Sequence, residues 1–89
     1  MAYRRLCVLL RQWREGATLT QRALASSLHK PPSYIHKVEV GDRRIDPLEF
    51  IAWCRACGID APSGLAEVES EAGPASPRRD RGGGQRRSG

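Results

Sequence analysis

Helix breakers recur along this chain so closely that no long helix can form. Gly16, Pro31-Pro32, Gly41, Asp46-Pro47 and Gly58 cut residues 1–60 into short pieces, and proline is tolerated only in the first turn of a helix. Within each piece the apolar residues keep helical spacing. Leu6, Leu9, Leu10 and Trp13 recur at three- and four-residue intervals, which predicts a helix over about 3–15 ending near Gly16, with Arg4, Arg5 and Arg11 outside its apolar stripe. Thr20 is a good N-cap for a second helix over about 20–28, where Leu24, Ala25 and Leu28 share a face.

A third helix is expected over about 31–40, with Ile35 and Val38 inward and Gly41 closing it. Asp46 as N-cap and Pro47 at the first helical position start a fourth over about 47–57. Its broad apolar face would hold Leu48, Phe50, Ile51, Trp53, Cys54 and Cys57. A short fifth helix around 62–69 would use Leu65 and Val68. Nothing alternates as a strand does, and no internal repeat is visible. The expected fold class is all-α, with four or five helices.

Charge marks where the fold should stop. The 89 residues carry a net charge of +5, and residues 1–66 alone hold ten basic and six acidic side chains. Glu67, Glu69 and Glu71 make an acidic stretch, and residues 78–89 carry five Arg and one Asp. From Gly73 onward no apolar residue exceeds Ala75, so nothing there offsets the entropy of ordering the backbone. The expected division is a folded domain over 1–72 and a disordered basic tail over 73–89.

The same arithmetic removes several function classes. A chain of 89 residues with five aromatics closes one modest core. No run approaches the roughly 18 apolar residues of a membrane span, and Arg4, Arg5 and Arg11 interrupt the N-terminus. A cytoplasmic protein is expected. Three cysteines form no disulfide framework. Cys54 and Cys57 read as core residues rather than a redox or metal pair, because a zinc site needs a second closely spaced ligand pair. His29 and His36 read as turn and surface residues. Ser26, Ser27 and Ser33 have no acid-base constellation, and Gly82-Gly83-Gly84 follows no strand. Neither catalytic residues, metal ligands nor a cofactor are expected.

What remains is the stretch from Thr20 to Glu39: a short helix, a break, and a second helix whose exposed positions are polar. That is the layout of a helix-turn-helix, in which the first helix spans the DNA backbone and the second enters the major groove. Lys37, Arg43 and Arg44 cluster about that second helix, while Glu49, Asp60, Glu67 and Glu69 lie elsewhere in the sequence.

The residues in this stretch form a recognisable pattern. Leu19-Thr20-Gln21, Leu24-Ala25, Leu28, Ser33-Tyr34-Ile35, Lys37-Val38-Glu39, Gly41 and Arg43-Arg44-Ile45-Asp46, followed by Phe50 to Asp60, resemble the Cro/phage-repressor (Xre-type) helix-turn-helix family over about 6–60. The resemblance implies that Gln21 contacts a backbone phosphate. It puts Pro32, Ser33 and Lys37 where bases are read, with His36 beside them, and Arg43, Arg44 and the Tyr34 hydroxyl on phosphates. It makes Glu39 a buried or half-buried acid held by Arg14. His29 takes the turn where the family often has Gly, and Pro31-Pro32 replaces a hydrogen-bonding start to the reading helix. Affinity should therefore lean on charge.

The function so implied is a sequence-specific DNA-binding transcriptional regulator, a bacterial or phage repressor acting as a homodimer on a palindromic operator. Its partners would be double-stranded DNA and a second copy of the chain, joined through residues 59–69 with Ile59, Leu65 and Val68. Two alternatives stand beside it. One is an antitoxin or restriction controller sharing a protein partner, for which the acidic segment 67–72 would be a surface. The other is a protein-interaction module that keeps the fold without reading DNA.

Overall fold

A computed structural model of the protein describes residues 2–72; the tail expected to be disordered, 73–89, lies outside the described residues. Five helices follow in order: α1 Ala2–Gly16, α2 Gln21–Ser27, α3 Pro32–Val40, α4 Pro47–Ala56 and α5 Ala61–Ala72. The all-α expectation holds, and the fifth helix is longer than its sparse apolar residues predicted. Among the described residues, no helix is long and apolar enough to cross a membrane.

The helix ends follow from local chemistry. Thr20 accepts from the Ala23 N–H at 3.0 Å. Asp46 accepts from the Glu49 N–H at 2.7 Å, and Glu49 returns the bond to the Asp46 N–H at 3.1 Å, a capping box that reinforces Pro47 at the first turn. The first four helices all close the same way, with an N–H reaching back five residues: Leu19 to Arg14, Lys30 to Ala25, Asp42 to Lys37 and Ile59 to Cys54. Each closure needs a left-handed residue. Gly41 (φ +88°) and Gly58 (φ +74°) supply two, but Thr18 (φ +58°) and His29 (φ +57°) supply the others. So α1 runs through Gly16 and turns at Thr18, two residues beyond the glycine expected to end it.

The core is built from Leu9, Leu10 and Trp13 of α1, Leu24 and Ala25 of α2, Tyr34, Ile35 and Val38 of α3, and Trp53, Cys54 and the following Cys57 on the α4 side. Trp53 is fully buried and its indole N–H donates to the Leu10 carbonyl at 3.1 Å, so its polar atom is satisfied. Burial pushes the Cys54 and Cys57 thiols up to about 11, so they behave as small hydrophobes in the core.

α5 closes the bottom of this core. A Cβ at Gly64 would stand 3.1 Å from Cys54 Sγ and 3.2 Å from Trp13, so the missing side chain is what lets α5 approach. Glu67 accepts from the Trp13 indole N–H at 3.2 Å, and Glu71 pairs with Arg5 at 3.3 Å. Two carboxylates of the segment expected to face a partner protein are therefore engaged within the fold. Leu48 also departs from expectation: it is 78% exposed. It lies outside the face that α4 presents through Trp53 and Cys54, which periodicity over a largely apolar run could not resolve.

Candidate nucleic-acid interface

The turn between α2 and α3 sets up the site. His29 in left-handed backbone lets the Lys30 N–H close on Ala25 at 2.9 Å. The chain then runs extended through Pro31 (φ −68°, ψ 150°), and Pro32 occupies the first turn of α3. Pro31 has no side chain that can cap, so α3 begins without a side-chain hydrogen bond at its N-terminus.

α3 has two distinct faces. Tyr34, Ile35 and Val38 are buried, whereas Pro32, Ser33, His36 and Lys37 are all exposed. At about 100° per residue, the four exposed positions fall within one broad sector of the helix surface. Proximity in the sequence thus becomes a single polar surface.

One buried ion pair fixes the angle at which that surface is held. Arg14 Nε donates to Glu39 Oε2 at 2.6 Å and Nη2 to Oε1 at 3.2 Å, while Nη1 donates to the Leu19 carbonyl at 2.8 Å. Gln21 Nε2 adds a bond to Glu39 Oε1 at 3.0 Å. The arginine side chain is 10% exposed and the glutamate 4%. α1, the turn before α2, the start of α2 and the end of α3 are thereby tied at one point. The bond to Glu39 raises the Arg14 pKa, so its charge is permanent. Gln21, expected on a phosphate, is half-buried and its amide nitrogen serves this lock.

A second charged cluster sits at the edge of the exposed face. Arg43 Nη1 and Nη2 donate to the two oxygens of Glu49 at 3.0 and 3.1 Å, and Lys30 Nζ donates to Oε2 at 3.2 Å. Together with the Asp46 N–H these donors, Arg43 foremost, hold the Glu49 carboxyl down to about 2. Lys30 and Arg43 also lie over the Tyr34 ring, 5.0 and 4.7 Å from its centre. Arg44 lies over the ring of Tyr3 at 4.1 Å, and the Tyr3 hydroxyl donates to the Arg43 carbonyl at 3.0 Å.

Several sequence expectations change here. Tyr34 is not a surface hydroxyl: the residue is 5% exposed, and its oxygen is buried with no hydrogen-bond partner. Burial, and then the Glu49 charge, push its pKa up to about 12. Its ring supports the two cations, because the stripe of α3 that carries Ile35 and Val38 extends round to it. Arg43 and Arg44 are exposed, but both guanidinium groups have partners within the chain. Glu49, set apart from the basic cluster by sequence position, lies at its centre. Lys30, which no spacing in the sequence marks, joins the cluster from the turn before α3. The spacing Asp46-x-x-Glu49, a capping box, was the one signal that would have placed Glu49 at this turn.

Comparison with known proteins agrees with this geometry. A family model described as helix-turn-helix matches residues 10–63. Among solved structures, an XRE-family like protein from Pseudomonas syringae pv. tomato str. DC3000 is 38% identical. The match covers 78% of this chain and 84% of that one, with a TM-score of 0.73. No curated protein matches.

Proposed function

Because the chain belongs to the Cro/C1-type (XRE) helix-turn-helix family, a family of DNA-binding domains and not of enzymes, we propose that it is a sequence-specific transcriptional repressor inside the cell. The observation that carries this reading is the exposed face of α3. Pro32, Ser33, His36 and Lys37 stand together in solvent, and the Arg14–Glu39 pair ties the end of α3 to α1. In the major groove, Lys37 donates to guanine O6 and N7, Ser33 reaches a base or phosphate, and Pro32 offers apolar contact to a thymine methyl. His36 flanks them. Arg43 and Arg44 contact phosphates, as does Gln21 through the second N–H of its amide, and Tyr34 contacts nothing on the DNA.

The repressor acts as a homodimer on a palindromic operator, since a single α3 reads only a few base pairs and two-fold pairing matches two half-sites. An apolar cleft of about 570 Å³ supports this reading. It is walled by Leu6, Phe50, Ile51, Leu65 and Val68, and Leu65 is 59% exposed beside it. No residue of α2 or α3 lines it, so a molecule seated there leaves the reading face uncovered. Its charged lining residues are one acid and one base, Asp46 and Arg55, so a two-fold mate can set unlike charges opposite each other. The tail has no large apolar side chain to fill it. The occupant is thus a second copy. Leu65→Lys should make the protein monomeric in sedimentation; a dimer that persists would move the interface elsewhere.

DNA binding itself is tested with two variants on the same duplexes. Lys37→Ala should lose about 1–3 kcal/mol of discrimination between operator and scrambled sequence, and Arg43→Ala with Arg44→Ala should weaken binding to every sequence alike. Binding unchanged in both, with a protein partner still captured by the wild type, would favour an interaction module instead.

A further inference from the structure

Glu49 is surrounded by the donor set that a phosphate would want. Arg43 gives two charged N–H groups, Lys30 a third and the Asp46 backbone a fourth, all between 3.0 and 3.2 Å. The two cations come from opposite ends of α3, Lys30 just before it and Arg43 just after, and both lie over Tyr34. Tyr34 is three residues from Lys37, about 60° round the helix. The cluster therefore borders the exposed face on its Lys37 side.

The cluster is open to solvent where the Arg14–Glu39 lock is not. Lys30 and Arg43 side chains are 35% and 43% exposed, although Glu49 beneath them is only 13% exposed. A nucleic-acid phosphate can reach the outer side of both cations but must compete with a carboxylate already bonded to them. Counterion release scales with the number of cations that actually neutralise phosphates. A cation already neutralised from within contributes less to that number.

We infer that Glu49 is an internal competitor for phosphate, which weakens the hold of Lys30 and Arg43 on the DNA backbone and so limits sequence-independent binding. The inference rests on the DNA-binding reading above and adds a specificity-determining residue to it. Base-edge contacts from Lys37 and Ser33 lie outside the cluster and are left intact. The discrimination ratio therefore rises, because non-specific affinity is held down while base readout is not. It also follows that Arg44, which has no carboxylate partner among the described residues, carries more of the phosphate contact than Arg43.

The test is the salt dependence of binding to a scrambled duplex by the full chain. Glu49→Gln keeps the side-chain shape and removes the charge; Glu69→Gln removes an equal charge from an exposed position on α5. Glu49→Gln should steepen the slope of log K against log salt by about 1 to 2, and tighten low-salt binding on the order of tenfold. Glu69→Gln should leave the slope near that of the wild type. Equal slopes for the two variants would overturn the inference, since only overall charge would then matter. Should Glu49→Gln not fold, Arg43→Gln and Arg44→Gln in the otherwise wild-type chain decide. Arg44→Gln should flatten the slope by nearly a full cation, and Arg43→Gln by clearly less; equal losses overturn the proposal. A wild type that does not bind the duplex even at low salt removes the DNA reading itself, and this inference with it.

Discussion

Two carboxylates in this small protein each gather three or four donors, and they do opposite things. Glu39 is sealed against Arg14, both nearly out of water, and its contacts join α1, α2 and α3. Glu49 is also well covered, but the cations above it are more than one-third exposed. Exposure of the partner, not the number of bonds, separates a structural ion pair from one that a ligand can contest. A buried pair loses most when one member goes, because the other is left as an uncompensated charge. An exposed pair contributes little to stability and is sensitive to salt and competing anions.

The largest effect should come from splitting the sealed pair. Glu39→Ala should destabilise the fold by about 3–5 kcal/mol in chemical denaturation. Replacing both members together, Arg14→Met with Glu39→Leu, should cost much less. If the single and double variants were equally destabilised, the pair would not be the lock described above.

A smaller effect is expected from acid. The folded-state pKa of Glu49, about 2, lies below its ordinary value of 4.5. Its contribution is therefore present above pH 4.5 and is lost as the pH falls from there toward 2. Thermal melts across that window should show an acid limb that Glu49→Gln flattens. A limb unchanged by that substitution would mean that the Glu49 cluster adds nothing to the folded state.

The smallest effect belongs to the ring beneath the cluster. Tyr34→Phe removes a buried hydroxyl that has no partner, so stability should stay level or rise by about 1 kcal/mol. DNA affinity should not change. A loss of affinity would return the Tyr34 hydroxyl to the interface.

How much of this was legible in the sequence depended on the range of the interaction. Breakers and caps act over a few residues, so Thr20, Asp46-Pro47 and Gly41 marked helix ends within one or two positions. Helical periodicity found Ile35 and Val38 for the same reason. Where the apolar run was dense, as in α4, periodicity could not tell that Leu48 points outward. The Arg14–Glu39 pair spans 25 residues and could be read only through resemblance to a family. Lys30 and Arg43 meet Glu49 from 19 and six residues away, through the angle of a turn that no spacing rule encodes. Tyr34 departs from expectation for a related reason: a tyrosine suits a wet surface and a core edge equally.

The central claim is that α3 reads a specific sequence. Selection of bound sites from a random duplex library at physiological salt, followed by binding of the enriched site and a scrambled control, tests it most directly. The account predicts an enriched palindrome, held at least about 10³-fold more tightly than the control. No enrichment, with equal affinities that fall steeply as salt rises, would contradict it and leave only attraction between a basic surface and phosphate.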